Sequence, residues 1–316
     1  MVCGDSPNAA LWLRLREVIN VRLVSFERNG APHLGALIDQ EVVDLSADDL
    51  QLPNDVCALL SAGDEAMAAA YRAIQKSNVR YPLAETRLCA PVSRPRKFLG
   101  LGFSYASHVQ EIKDAGIPLE IPDNQVWFNK QVTCITGPYD PIHLPRVSDK
   151  FDYEGELVVV IGQACRHVRA ADAHKVIAGY TITNDLSIRD WQMRSPTATL
   201  GKSFDTHGPI GPWLTTPEEI GHPENLRVRT WVDDELRQDG RTDDFIYSIG
   251  EMIEELTTVF TLEPGDMLAT GTPSGVGAAF RPPRFLKIGQ TVRVEIEGLG
   301  HIANTVIAEP ENTYGG

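Results

Sequence analysis

The stretch FDYEGELVVVIG, residues 151–162, decides the fold and is the most informative segment of the chain. Its aliphatic residues 158–161 predict a buried strand. Glu154 and Glu156 stand two apart at the start of that strand, so their side chains leave the same face. Two like charges at the mouth of a buried strand repel each other and need a compensating cation. The alternative is that both are solvated at a strand end, as acidic residues usually are.

A second apolar segment, AGYTITND at residues 178–185, also ends in an acid, Asp185. Carboxylates from the ends of two strands would make a site with only oxygen donors. Such a site suits hard cations such as Mg²⁺ or Mn²⁺ and does not suit zinc or copper. Glu154, Glu156 and Asp185 are therefore candidate ligands of one divalent ion.

Working outwards, strand-like segments outnumber helical ones and do not alternate with them regularly. Residues 21–45 predict three short strands with turns near Asn29-Gly30 and Asp39-Gln40, and residues 55–76 predict a helix. Further helices are predicted at AADAHKVIA (170–178) and at SIGEMIEELTTVF (248–260), which Ser248 and Glu251 open as a capping box. This pattern favours a β-rich α+β fold over a doubly wound α/β fold. We expect a small N-terminal strand and helix domain at residues 1–90 and a catalytic domain at residues 91–316.

Composition limits the classes of partner. The 316 residues are 42% hydrophobic, enough for a full core, and carry a net charge of −14. Nucleic acid is disfavoured because phosphate binding needs clustered cations. No apolar run is long enough for a membrane span, and the start of the chain has no pattern typical of secretion. The five cysteines are scattered, with no C-x-x-C pair. We therefore expect a cytoplasmic protein.

Several nucleotide, zinc and hydrolase motifs fail on inspection. GLGFSY, from Gly100, has Tyr105 where the third glycine of a dinucleotide-binding motif belongs, and GKS at residues 201–203 has Pro196 where a P-loop needs glycine. The histidines show no zinc spacing, and there is no G-x-S-x-G nucleophile elbow. These failures leave the carboxylate cluster as the main chemical feature.

The segment GFSYASHVQEIKDAG, residues 102–116, predicts a short helix with Ser104 as a possible cap and Gly116 at its end. His108 and Glu111 are three apart and share one face of that helix. A carboxylate beside an imidazole orients the ring and raises its basicity, as a general base requires. The same spacing also fits an ordinary surface His–Glu pair.

Four further polar residues lie in loops where a ligand could approach. Lys202 is in the Gly/Pro-rich segment GKSFDTHGPIGP, and Thr272 is in GTPSGVG. Arg189 and Gln192 follow Asp185 closely and could reach a substrate held there. Taken singly, the lysine fits a surface residue and the arginine a structural ion pair.

Together these segments resemble the fumarylacetoacetate hydrolase family. The matching pieces occur in the family's order from about Lys97 to Val292: GFSYASHVQE, DYEGELVVVIG, GYTITNDLSIRDWQ, GKSFDTHGPIGP, VDDELRQ and EPGDMLATGTPSGVG. The resemblance implies a mixed β-sandwich roll core and, commonly, a homodimer. Two features depart from the family: Ser104 and Ser107 stand where Asn and Asp are frequent, and the stretch IKDAGIPLEIPDNQVWFNKQ (112–131), typically part of a lid, is individual to this chain.

The resemblance also assigns roles within the site. It implies one Mg²⁺ or Mn²⁺ ion on Glu154, Glu156 and Asp185. The implied catalytic residues are His108, Glu111 and Lys202, and the implied substrate-binding residues are Arg189, Gln192, Thr272 and Lys130.

The expected activity is metal-dependent hydrolysis of a C–C bond in a small 2-oxo acid of the acylpyruvate or fumarylpyruvate type, in the catabolism of aromatic or related compounds. The alternatives on the same site are decarboxylation or isomerisation of oxaloacetate or an unsaturated 2-oxo diacid, and dehydration of a sugar acid. A protein that binds metal and ligand without turnover is a further alternative.

Overall fold

The computed structural model describes residues 21–46, 50–116 and 122–311. Its strands, in chain order, are β1 (Arg22–Arg28), β2 (Ala31–Ile38), β3 (Glu41–Asp44), β4 (Arg80–Pro82), β5 (Leu88–Cys89), β6 (Phe98–Gly102), β7 (Val126–Asn129), β8 (Ile135–Thr136), β9 (Ile142–Leu144), β10 (Phe151–Asp152), β11 (Gly155–Ile161), β12 (Ile177–Asn184), β13 (Ser187–Ile188), β14 (Gly208–Thr215), β15 (Arg227–Val232), β16 (Glu235–Arg241), β17 (Met267–Ala269), β18 (Thr291–Ile296) and β19 (Gly300–Ala308).

The described helices are fewer than the strands, as expected of a β-rich α+β fold. The α-helices are α1 (Val56–Ser61), α2 (Gly63–Lys76), α3 (Ala106–Asp114), α4 (Arg189–Gln192), α5 (Pro217–Ile220) and α6 (Ile249–Val259). Single 3₁₀ turns are formed by Leu83–Glu85, Val132–Cys134, Ala170–Lys175, Thr199–Lys202, Pro223–Asn225, Thr242–Asp244 and Gly277–Ala279. No helix in the described part of the chain is long and apolar enough to cross a membrane.

One large mixed sheet carries the site. Its strand order is β4-β3-β2-β1-β14-β12-β11-β17-β6-β7, with β5 pairing with β1 and β8 pairing with β14. A second sheet has the order β16-β15-β18-β19-β9, and β10 pairs with β13. The strands predicted for residues 21–45 are confirmed as β1, β2 and β3, and β1 pairs with β14 at Arg22 and Leu23. The division at residue 90 stays a prediction.

The strand β11 is buried on both faces, which explains its unbroken aliphatic run. Val158 and Val160 belong to a core cluster that includes residues of β1, β2 and α2. Leu157, Val159 and Ile161 pack instead in a cluster with residues of the second sheet and of α6. A strand between two cores needs apolar side chains in both directions, so alternation disappears.

Three predictions about local structure need correction. The helix predicted for residues 55–76 is divided into α1 and α2 at Gly63, whose φ of +76° is unfavourable for other residues. The segment 170–178 forms a 3₁₀ turn at Ala170–Lys175 followed by β12, because its aliphatic end enters the sheet. Ser104 does not cap α3: Tyr105 is the N-cap, and the Ser104 hydroxyl donates to Thr270 O at 2.6 Å.

The expected lid segment, residues 112–131, is only partly a loop. Its residues 126–129 form β7, which pairs with β6 at the edge of the large sheet. Residues 117–121 lie outside the described part of the chain, as do residues 1–20, where the absence of a secretion signal was noted. The capping box of α6 is confirmed, since the Ser248 and Glu251 side chains each accept the other's backbone N–H.

Candidate active site

The carboxylates of Glu154, Glu156 and Asp185 converge at one end of β11 and β12. These strands are antiparallel neighbours, with Gly155 opposite Asn184. The pairing continues one residue further, because Asp185 N donates to Glu154 O at 2.8 Å. One oxygen from each carboxylate lies within 4.8 Å of the others, and all three residues are buried. The structure therefore brings together the three acids predicted as metal ligands.

Two lysine side chains form ion pairs with this cluster. Lys202 Nζ lies 2.5 Å from Glu154 Oε2 and 2.7 Å from Asp185 Oδ2. Lys130 Nζ lies 2.7 Å from Asp185 Oδ1 and donates to the backbone oxygens of Lys202 and His207. Both ammonium groups are buried, so neither fits the surface alternative.

Lys130 was predicted to bind substrate, but its described contacts all go to the protein. With Asp185 Oδ1 and two carbonyl oxygens, its three N–H donors already have partners. The contacts favour a role in holding Asp185, and the substrate-binding role stays a prediction.

Arg189 joins the cluster to a fourth buried acid, Asp152. Its Nε lies 2.8 Å from Asp152 Oδ2, and its Nη1 lies 2.7 Å from Glu154 Oε1 and 3.0 Å from Gln192 Oε1. Asp152 also accepts the backbone N–H groups of Gly277 and Ala278. Arg189 and Gln192 thus stand beside the acids as predicted, although the guanidinium is largely occupied.

The loop after β17 closes the other side of the cluster. Gly271 N donates to Glu156 Oε2 at 2.8 Å, and Thr272 Oγ1 donates to Gly155 O at 3.0 Å. Gly271 has φ +91°, and a Cβ there would lie 1.8 Å from Ser104 Oγ. This loop therefore needs glycine both for its backbone conformation and for its close approach to α3.

The predicted dyad is formed on α3. His108 Nδ1 lies 3.0 Å from Glu111 Oε2, and Glu111 Oε1 accepts Gly275 N at 2.7 Å. The carboxylate is thereby fixed by the same loop after β17, unlike that of a free surface pair. His108 is also close enough to the acids to favour ionisation of Glu154.

Comparison with known proteins decides the family. The profile described as fumarylacetoacetate (FAA) hydrolase C-terminal matches residues 97–307, more than half of the chain. The chain belongs to the fumarylacetoacetate hydrolase family. The family's members include hydrolases, isomerases and tautomerases, and this chain is an enzyme of that superfamily.

Relatives of several activities share this fold. The mitochondrial oxaloacetate tautomerase Fahd2a of Rattus norvegicus is 40% identical, over 91% of this chain and 92% of the relative. The fumarylacetoacetate hydrolase of psychrophilic Exiguobacterium antarcticum has a TM-score of 0.77 and 31% identity, covering 92% of this chain and all of that one. Maleylpyruvate hydrolase of Sphingobium sp. SYK-6, in complex with manganese(II) and pyruvate, has a TM-score of 0.75 and 31% identity, with the same coverage.

Burial and neighbouring charges shift the pKa values of Glu154, Glu156 and Lys202 in the site. Burial alone would raise the pKa of Glu154, but Lys202, Arg189 and His108 lower that pKa to about 2. Burial, Asp185 and Glu154 raise the pKa of Glu156 well above its usual value. Burial would lower the pKa of Lys202, yet Asp185 and Glu154 raise it. Burial and its acidic neighbours therefore disfavour the charged form of Glu156 unless a further cation is bound.

The donor set fits a divalent metal. All three candidate ligands are carboxylates, the hard oxygen donors that Mg²⁺ and Mn²⁺ prefer. No described Lys, Arg or His forms an ion pair with Glu156, whose hydrogen-bond partner is Gly271 N. A buried carboxylate without a cation is costly, and a bound divalent ion would supply that charge. The residues do not discriminate between Mg²⁺ and Mn²⁺.

Asp152 and Gln238 are neighbours of the site that the sequence did not single out. Asp152 was noted only as a flank of the glutamates, although it pairs with Arg189. Gln238 lies in the segment VDDELRQ, which entered only through the family resemblance. The signal that could have found it is an uncharged polar residue in the strand that follows the turn at Asp233 and Asp234.

Proposed function

We propose that this enzyme interconverts the enol and keto forms of oxaloacetate or of a closely similar small 2-oxo diacid. The observation that carries the proposal is a single proton-transfer dyad, His108–Glu111, standing beside a buried acidic triad. Tautomerisation needs one group to move a proton and a site that tolerates an enolate. The 40% identity to an oxaloacetate tautomerase over nearly the whole chain supports this choice.

A divalent ion on Glu154, Glu156 and Asp185 would act as a Lewis acid that stabilises negative charge on the substrate oxygens. Lys202 places its ammonium group between Glu154 and Asp185, where it adds positive charge at the same point. The electrostatic interactions of these buried charges are strong because little water screens them.

His108 moves the proton. Since Glu111 accepts at Nδ1, the ring carries its proton there in the neutral form, and Nε2 keeps a free lone pair. In the enol-to-keto direction, Nε2 removes the enol O–H proton and a proton is returned to C3. One O–H bond breaks and one C–H bond forms, and the imidazole regains its starting state.

C–C bond hydrolysis is the second candidate, favoured by the anchoring of Glu111 on Gly275 N. A rigid dyad is what activation of a water molecule requires. The water oxygen would attack the remote carbonyl of an acylpyruvate, the C–C bond would break, and the electron pair would leave as the enolate of pyruvate. The proton taken by His108 would then end on the enolate carbon. The maleylpyruvate hydrolase similar in structure supports this candidate.

Product analysis separates the two functions. The protein is stripped of metal, reloaded with Mg²⁺ or Mn²⁺, and given enol-oxaloacetate, acylpyruvates and fumarylpyruvate, with products followed by NMR and mass spectrometry. We expect fast metal-dependent ketonisation of oxaloacetate with no loss of carbon. Release of pyruvate plus an acid from an acylpyruvate, without ketonisation, would establish the hydrolase instead.

His108→Ala should lower kcat of the ketonisation by about 10²–10⁴, because proton transfer by a positioned side chain contributes that much. His174→Ala is the matched control, since His174 is exposed on the turn Ala170–Lys175. Wild-type turnover in the His108 variant would remove the residue from the mechanism. Glu111→Gln should weaken hydrolysis more than tautomerisation, since only hydrolysis needs activated water.

We also propose a homodimer acting on a small molecule in the cytoplasm. The support for the dimer is the family resemblance, and the location is proposed only for the test below. Size-exclusion chromatography with light scattering and cell fractionation are the direct measurements.

A further inference from the structure

The hairpin formed by β15 and β16 sends one uncharged polar side chain, Gln238, into the acidic site. Gln238 belongs to the second sheet and is fully buried, whereas the metal candidates belong to the large sheet. None of the roles assigned above uses it, although its amide reaches the backbone between two candidate ligands.

Three hydrogen bonds close a ring at this point. Gly155 N donates to Gln238 Oε1 at 3.0 Å, Gln238 Nε2 donates to Thr272 Oγ1 at 2.7 Å, and Thr272 Oγ1 donates to Gly155 O at 3.0 Å. Gln238 Nε2 also donates to Pro273 O at 2.9 Å. Both backbone polar groups of Gly155 are therefore held by side chains.

Chemistry permits only one direction of donation around this ring. A backbone N–H can only donate, so the amide oxygen must face Gly155 and the amide nitrogen must face Thr272. Because Thr272 Oγ1 accepts from that nitrogen, its own hydrogen is directed to Gly155 O. The Thr272 hydroxyl can then accept from a ligand but has no hydrogen left to donate to one.

Gly155 lies between Glu154 and Glu156, so the ring fixes both peptide groups that join these candidate ligands, one through Gly155 N–H and the other through Gly155 C=O. A Cβ on residue 155 would lie 2.4 Å from Thr230 Oγ1 and 2.8 Å from Val294 Cγ1. The absence of a side chain lets the second sheet approach this closely. Rotation of either peptide group would move the two carboxylates relative to each other.

We propose that Gln238 is a positioning residue for the divalent ion: through Gly155 and Thr272 it sets the spacing of the Glu154 and Glu156 carboxylates. The proposal rests on the triad being a divalent-metal site, but not on the identity of the substrate. Groups that orient metal ligands without touching the metal commonly change metal affinity by 10–100-fold.

The test is binding of Mn²⁺ alone, followed by the electron paramagnetic resonance signal of the free ion, with no substrate present. Gln238→Met keeps the length of the side chain but removes every hydrogen bond of the amide. We expect the Kd for Mn²⁺ to rise 10–100-fold while circular dichroism remains that of the folded protein. Gln163→Met is the control, since Gln163 is exposed.

A second pair of variants keeps the proposal testable if Gln238→Met does not fold. Thr272→Val removes the hydroxyl at nearly constant volume, and Thr272→Ser restores it. We expect weaker Mn²⁺ binding by the first variant and recovery to within about threefold by the second, as ring continuity predicts. Unchanged Mn²⁺ affinity in a folded Gln238→Met or Thr272→Val variant would overturn the proposal. Because no substrate is used, that failure is distinct from failure of the tautomerase assignment.

Discussion

Lys202 shows how strongly a residue depends on its surroundings. A lysine in a Gly/Pro-rich loop is usually exposed, yet this one is 2% exposed and lies between two carboxylates. The Phe128 ring is 5.0 Å from its Nζ, and Gly100 leaves room for that ring, since a Cβ there would lie 2.3 Å from Phe128 Cζ. Burial, ion pairs and an aromatic face together hold the ammonium group in place.

Lys202→Met should destabilise the metal-free protein by about 3–5 kcal/mol, because it leaves buried carboxylates without their partner. Urea denaturation in EDTA measures this loss. Lys175→Met is the matched control: Lys175 pairs with Asp172 at an exposed site, where we expect less than about 1 kcal/mol. Equal losses of unfolding free energy in both variants would show that the buried ion pairs of Lys202 stabilise the protein no more than the exposed ion pair of Lys175.

His207 makes stability depend on pH. The ring stacks on Phe151, and Nε2 donates to His143 O at 2.8 Å. Burial lowers the pKa of His207 to about 3, against 6.5 in an unfolded chain. The unfolded state therefore binds more protons below pH 6.5, and folding stability is lost as pH falls from 6.5 towards 3.

Between pH 6.5 and 5 this loss should approach roughly 1.4 kcal/mol per pH unit. Glu154 adds a similar loss only below pH 4.5, so the two windows separate. His207→Gln keeps a donor for His143 O without a titrating ring, and its stability should change less over this range. If the stability of the variant falls with pH as steeply as that of the wild type, groups other than His207 cause the pH dependence.

At the residue scale, spacing predicted which side chains the structure brings together, while their roles stay predictions. Glu154 with Glu156, His108 with Glu111, and the acid ending the second strand are all patterns within short segments. Asp152 and Gln238 were not predicted as site residues, because their partners are distant in sequence: Gln238 bonds to Gly155, and Asp152 bonds to Gly277 and Ala278. Such contacts arise only when the sheets pack.

At the scale of elements, the loop after β17 holds Glu156 through Gly271 N and supports α3 through Ser104. Gly271→Ala should therefore disturb the acids and the helix carrying the dyad together. The added Cβ would overlap Ser104 Oγ, which is itself held by Thr270 O. We expect a loss of unfolding free energy above about 2 kcal/mol and a large fall in Mn²⁺ affinity.

Gly30→Ala separates backbone strain from steric overlap. Gly30 also has positive φ, +76°, but a Cβ there would have nothing within 4 Å. That variant should lose only about 1–2 kcal/mol and keep full Mn²⁺ affinity. Thermal unfolding and Mn²⁺ titration of the Gly271→Ala and Gly30→Ala variants are the measurements. Similar losses in the two variants would contradict the inference that steric overlap with Ser104 causes the larger effect at Gly271.

Elements were predicted best where periodicity is strong. The strands of residues 21–45 and α6 with its capping box are each signalled within a dozen residues. The division between α1 and α2 and the place of β7 in the sheet were missed. Gly63 breaks a helix only in its particular backbone conformation, and β7 gains its hydrogen bonds from β6. The pairing of β7 with β6 in the folded protein therefore outweighed the local conformational preference of these residues.

At the scale of the molecule, metal should stabilise the whole fold. The ligands come from adjoining strands of the large sheet, and unfolding separates them. A folded state that binds Mn²⁺ gains RT ln(1 + [Mn²⁺]/Kd), about 2.7 kcal/mol at one hundred times Kd. Thermal unfolding should therefore shift upwards from EDTA to Mn²⁺ or Mg²⁺. Glu156→Gln should reduce this shift, and an equal shift in that variant would exclude Glu156 as a ligand.

The family and fold class were predictable because many short motifs occur in one order, which chance rarely produces. The assignment of one reaction was not, since relatives with this fold carry names of tautomerases and hydrolases alike. The choice among reactions depends on pocket shape and on the position of bound water, which motif spacing does not specify.

The pairing of β1 with β14 has a consequence for how the polypeptide folds during synthesis. The hairpin of β1 and β2 is local and can form soon after it leaves the ribosome, and β5 then pairs with Ser25 and Phe26 of β1. The partner of Arg22 and Leu23, β14, is made much later. Until Gly208–Thr215 emerges, Arg22 and Leu23 have no strand partner on that edge, and an unpaired strand edge can pair with a neighbouring nascent chain. The start of the first strand therefore completes its place in the large sheet only after most of the chain has been synthesised.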